Sequence, residues 1–230
     1  MEKKKNSAAS VKVLLALSII GLAFVPVLVL WPNVNESQIP FRQSLIGILF
    51  TAVCLLGTTA AFYPSKCRGI FGKTQNPLPQ TKSISRPLQI KGHHPDCQNF
   101  SGNRTKLGGK IVCAACSGLI VGAIIALIGI TVFFFVGSEL EWGGVWLLAF
   151  GEVGMMVGLA QIKFTGWVKA LANVVLVVGS FGTLTVADQL AKNLFVDLYV
   201  VGLILFLLLL RISLSEWNNK RVCQNCNLCI

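Results

Sequence analysis

Ser117 to Val136 reads SGLIVGAIIALIGITVFFFV, 20 residues without a charge. A hydrocarbon core about 30 Å thick takes roughly 20 apolar residues as a helix, so this stretch alone is long enough to cross a bilayer. Further blocks of the same kind lie at about Val11–Trp31, Ser44–Tyr63, Trp142–Gln161, Val168–Ala187 and Leu194–Ser213. Charged residues make up 13% of the 230-residue chain, where a soluble domain carries about a quarter, and most of them fall between the blocks. The fold class expected is therefore all-α, a polytopic membrane bundle of about six transmembrane helices. The first block follows Lys3, Lys4 and Lys5 as a secretory leader would. Its apolar run is too long for a leader's core and no small-x-small site follows it, so it reads as an uncleaved helix.

Six crossings put the N-terminus, the Pro64–Lys110 loop, the Ile162–Trp167 loop and the C-terminus on one side. Nearly all of the 20 lysines and arginines lie there, and only Arg42 and Lys192 fall clearly on the other side. The opposite loops hold Glu36, Glu139, Glu141 and Asp188. Basic loops stay in the cytoplasm, which predicts a multi-pass protein of the cell membrane with both termini cytoplasmic. The net charge of +11 then reflects topology and attraction to anionic lipid heads. The basic residues are spread over several loops without a binding motif, so the bilayer is the expected partner and nucleic acid is not. Trp31 and Trp142 fall at one boundary and Tyr63, Trp167 and Trp217 near the other, as interfacial rings do. The chain divides into a basic segment with two helices (1–63), a cytoplasmic loop (64–116), four helices (117–213) and a cysteine-rich cytoplasmic tail (214–230).

Immediately upstream of Ser117 the composition is different: His93 to Gly118 reads HHPDCQNFSGNRTKLGGKIVCAACSG. Lys66 to Arg86, with NPLPQ, is a linker by composition. From Lys91 onward the residues suit a small Cys/His knuckle that turns at Gly108 and Gly109. Cysteines two residues apart, as in Cys113-Ala-Ala-Cys116, can both face one tetrahedral ion and so supply half of a four-ligand site. Cys97 with His93 or His94 can supply the other half. Cys223, Cys226 and Cys229 add three thiols on the same side, enough donors in all for two tetrahedral sites. The ion expected is Zn2+, with an iron–sulfur cluster as the alternative. A reducing cytoplasm disfavours disulfides, which would otherwise compete. Cys67 has no spacing partner, and Cys54 inside the second block reads as a small buried apolar residue.

HHPDC followed by GGKIVCAACSGL at the start of a membrane helix resembles a family of uncharacterised prokaryotic multi-pass membrane proteins that carries a Cys-Ala-x-Cys-x-Gly motif. The resemblance covers about His93 to Gly122. It implies that His93, His94, Cys97, Cys113, Cys116 and Gly118 belong to a metal-binding knuckle abutting a helix, and it brings no established activity. Relatives carry a histidine a few residues after the first cysteine, and this chain has Asn103 in that neighbourhood.

Within the blocks, Glu152 lies near the middle of the fourth, where a carboxylate must pair, take a proton or line a polar path. Asn173, Thr183 and Thr185 in the fifth are partners of suitable chemistry. Asp188 and Asp197 sit at helix ends and are expected to be solvated. Gly118-x-x-x-Gly122 and Gly154-x-x-x-Gly158 are expected to let helices pack closely. Asn35-Glu36-Ser37 is a glycosylation sequon on the outer side, meaningful only in a glycosylating source. No nucleophile–base set or phosphate-binding loop is present, so hydrolysis and nucleotide chemistry are not expected. Three classes stay open. One is a non-enzymatic membrane protein whose zinc knuckle orders the loop or docks a partner at the cytoplasmic face. Another is a redox protein using CxxC thiols or an iron–sulfur centre. The third is a small transporter using Glu152, for which no inverted repeat or broken-helix pair speaks.

Overall fold

The computed structural model describes residues 2–31, 41–62, 102–107, 110–137 and 144–224. Six helices account for almost all of them: α1 (Glu2–Leu30), α2 (Arg42–Phe62), α3 (Ala114–Ile130), α4 (Gly144–Leu159), α5 (Gly166–Ala191) and α6 (Leu194–Gln224). Each contributes a segment long and apolar enough to cross a membrane, at Val11–Leu30, Arg42–Ala61, Ala114–Phe135, Gly144–Lys163, Gly166–Ala191 and Leu194–Asn218. The all-α, multi-pass reading holds, with block ends displaced by a few residues. Apolar side chains such as Ile20, Leu56, Ile128 and Phe150 face outward from four of these helices, a surface compatible with lipid.

Two departures from the sequence reading bear on the site. α3 begins at Ala114 rather than Ser117, so the Cys-Ala-Ala-Cys motif is part of the helix start. Ahead of it, Arg104–Leu107 (β1) and Lys110–Cys113 (β2) pair as an antiparallel hairpin with Arg104 opposite Cys113 and Leu107 opposite Lys110. The spacing of RTKL and KIVC around two glycines is a hairpin pattern. Gly108 and Gly109 themselves lie outside the described residues.

The bundle is organised around α5, whose spanning segment is 72% buried against 22% for that of α1. Lipid tails are as apolar as leucine, so helices associate through close packing, and glycine permits it. A Cβ built on Gly118 of α3 would lie 2.1 Å from the carbonyl oxygen of Ala170 on α5, and one on Gly122 would lie 3.1 Å from Val174 Cα. From the other flank, Gly154 and Gly158 of α4 meet Val175 and Leu176. Both glycine pairs therefore seat their helices on α5 of the same chain, as the packing expectation required. Gly118→Val is expected to unseat α3, because the opposing group is backbone and cannot swing aside. Overpacking costs about 1–3 kcal/mol where side chains can adjust, and a loss at or above that range should appear as a lowered melting temperature in detergent. Gly57→Ala, with nothing within 4 Å of its Cβ, should leave the temperature unchanged.

Candidate functional site

Cys113 closes β2 and caps α3, and Cys116 follows in the first helical turn. Residues three apart share a helix face, so the two thiols lie side by side and act on each other. Both are almost fully buried, packed with Ala61 at the end of α2. The first-turn N–H groups of α3 have no partners within the helix, which leaves partial positive charge around the cysteines.

Two buried cations complete the surroundings. Lys169 of α5 and Arg211 of α6 are 6% and 8% exposed, Lys169 acting electrostatically on Cys113 and Arg211 on both cysteines. Their hydrogen bonds go to neutral amides. Lys169 Nζ donates to Asn103 Oδ1 at 2.5 Å, and Arg211 Nε donates to Asn173 Oδ1 at 2.8 Å. Arg211 Nη2 reaches Gln161 Oε1 at 3.5 Å, and Asn173 Nδ2 donates to the Lys169 carbonyl at 2.6 Å. No carboxylate pairs with either cation among the described residues. The ionisable groups beside these cations are the two sulfurs.

Lys169, Gln161 and Arg211 were not singled out by the sequence reading. Arg211 could have been, since LLLLRISL places an arginine inside an apolar block. Asn103 is tied to Lys169.

The other expected donors are not brought to this pair within the described residues. His93, His94, Cys97, Cys67, Cys226 and Cys229 lie outside them, and the knuckle as a whole is therefore not described. Cys223 is in the last turn of α6, twelve residues beyond Arg211, or ~18 Å along a straight helix. Among the described residues no group of three His, Cys, Asp or Glu could hold an ion. Cys54 is buried in the apolar core, as expected.

Glu152 lies half-buried on α4, and its Oε1 is buried with no hydrogen-bond partner among the described residues. The three residues considered as its partners are engaged elsewhere or unpaired. Asn173 binds Arg211, Thr185 donates to the Gly182 carbonyl, and Thr183 Oγ1 has no hydrogen-bond partner among the described residues.

The expectation that Asp188 and Asp197 are solvated is wrong. Both are fully buried at the far ends of α5 and α6 from the cysteines, because Arg42 at the start of α2 turns inward between them. Arg42 Nη1 lies 2.8 Å from Asp188 Oδ1 and also donates to Asp197 Oδ2. Arg42 Nη2 donates to the Asp188 carbonyl at 3.1 Å, and Gln43 Nε2 to Asp188 Oδ2 at 3.2 Å. The bundle thus holds a polar cluster at each end, with α2 and α5 running between them. No family model, curated protein or solved structure matches the chain.

Proposed function

We propose that this is a non-enzymatic multi-pass membrane protein in which Cys113 and Cys116 are two ligands of a thiolate zinc site on the cytoplasmic side. The site ties the segment between α2 and α3 to the bundle and presents it for docking a protein partner. The observation that carries this reading is the buried pair of neighbouring thiols at the start of α3, beside Lys169 and Arg211. The hairpin supports it as well. Arg104 pairs with Cys113, so the chain entering β1 runs beside the helix start. Cys97 is seven residues before Arg104, a reach of up to ~23 Å, and His93 or His94 supplies the fourth donor. Cys223, Cys226 and Cys229 form or complete a second site in the tail. Metal binding can order a segment too short to have its own apolar core, which suits a loop so poor in apolar residues.

Elemental analysis of the purified protein tests this: a colourless preparation with about one or two zinc ions per chain is expected from tetrahedral ligand counting. A brown preparation would indicate an iron–sulfur centre. One geometric feature favours a second reading, a redox thiol pair, since sulfurs already adjacent at a helix N-terminus beside cations can oxidise to a disulfide with little movement. Metal-free protein whose Cys113 and Cys116 cycle reversibly between thiol and disulfide would establish that reading instead.

Two further expectations follow. Arg211→Gln should weaken zinc affinity by about 10- to 100-fold, the range for groups that support metal ligands without touching the ion, while Arg211→Lys retains most of it. Competition with a chromogenic chelator measures both. Thiol reagents that cannot cross the membrane should leave Cys97 and Cys113 unlabelled in intact cells, and should label Cys97 in inverted vesicles once the zinc has been chelated. Labelling in intact cells would place the site outside.

A further inference from the structure

The cluster at the other end of the bundle has an unbalanced charge. One guanidinium, Arg42, serves two carboxyls, Asp188 and Asp197, and the side chains are 10%, 0% and 0% exposed. The groups acting on these carboxyls are Arg42, Gln43 and the carboxyls themselves; α2 supplies the first two, α5 Asp188 and α6 Asp197. With both carboxyls ionised the cluster would carry one net negative charge inside a membrane-spanning bundle. Among the described residues both salt bridges to these carboxyls come from the one guanidinium, and a buried excess charge of this kind is relieved by taking up a positive charge. The donors are divided unequally. Asp188 has the Gln43 amide on Oδ2 and the Arg42 ion pair at Oδ1, whereas Asp197 has Arg42 on Oδ2 alone; among the described residues neither Oδ1 accepts a hydrogen bond. Both carboxyls meet the same Arg42 nitrogen, so they lie within two hydrogen-bond lengths of each other.

We propose that Asp188 and Asp197 form a proton-binding pair that together holds one proton beside Arg42, where α2, α5 and α6 meet. A proton suits the site better than a metal cation, because the guanidinium already occupies the space between the carboxyls. The two titrate as a unit, so the proton belongs to the pair rather than to one residue. Its release leaves a buried negative charge at the junction of three helices and loosens their packing at that end.

Infrared spectroscopy of the detergent-purified chain at neutral pH reads the proton directly, through the carbonyl stretch of an un-ionised carboxylic acid. Glu152→Gln serves as the background, since Glu152 is the other intramembrane carboxyl with an unpartnered oxygen. One acid band per chain should persist in Glu152→Gln and vanish when either Asp197→Asn or Asp188→Asn is added, because each leaves one carboxylate balanced by Arg42. The wild-type chain alone supplies a second measurement. Raising the pH should convert that band to a carboxylate band and lower the melting temperature together, and neither change should occur in a folded Asp197→Asn chain. A neutral-pH spectrum in which both groups are carboxylates overturns the proposal. So does a band that appears only when sodium or potassium is withdrawn, which would mean that a metal ion fills the site.

Discussion

Arg42→Met is expected to destabilise the bundle by about 3–5 kcal/mol, the usual consequence of removing one member of a buried ion pair. Among the described residues both salt bridges to these two unexposed carboxyls come from Arg42, so its loss leaves Asp188 and Asp197 facing each other without it. It also removes the donor to the Asp188 carbonyl at the end of α5. Three helices are held by this one side chain, and reversible unfolding in mixed micelles should report the full loss. Acidification should recover part of it, because the stranded carboxyls can each take a proton. Asp197→Asn should cost far less, since Arg42 and Asp188 remain as a neutral pair. If the two variants lost equal stability, the asymmetry of charge described above would be wrong.

The membrane architecture was legible because each crossing is a run of about 20 apolar residues, and the bilayer thickness alone dictates that length. Ser117–Val136 and Leu194–Ser213 announce themselves with no knowledge of tertiary structure. The glycine pairs were legible for a related reason: small residues four apart have one main use in lipid, and both pairs pack on α5. Polar pairing was not legible. Asp188, Asp197 and Arg42 all lie at helix ends, where solvent is the simplest partner, and nothing local to each residue says that α2, α5 and α6 converge there. The sequence separations are 146 and 155 residues, beyond any periodicity argument. Lys169 and Arg211 were hidden in the same way. The cysteine motif gave the chemistry of the site, but its cations come from helices that begin some fifty and eighty residues later. The hairpin was missed for a different reason. RTKLGGKIVC carries its turn signal openly, yet attention to ligand spacing read the segment as a knuckle rather than as paired strands.

That hairpin bears on the largest effect expected at the cysteine end. Cys113→Ser and Cys116→Ser should each lower zinc affinity by more than about 100-fold, exceeding the 10- to 100-fold typical of supporting residues, because a thiolate ligand itself is lost. Cys113 pairs with Arg104 across the hairpin and caps α3, and Cys116 lies within the helix, but these are backbone roles that neither side chain performs. Protease sensitivity of the segment before β1 should therefore rise in both variants only to the extent that the metal is lost, and chelation of the wild-type chain should reproduce it. Cys54→Ser, whose thiol is surrounded by apolar side chains of the bundle core, should retain its zinc. Equal metal content in all three variants would remove Cys113 and Cys116 from the ligand set. Metal loss without any change in cleavage would keep them as ligands but deny the ion its role in ordering the loop.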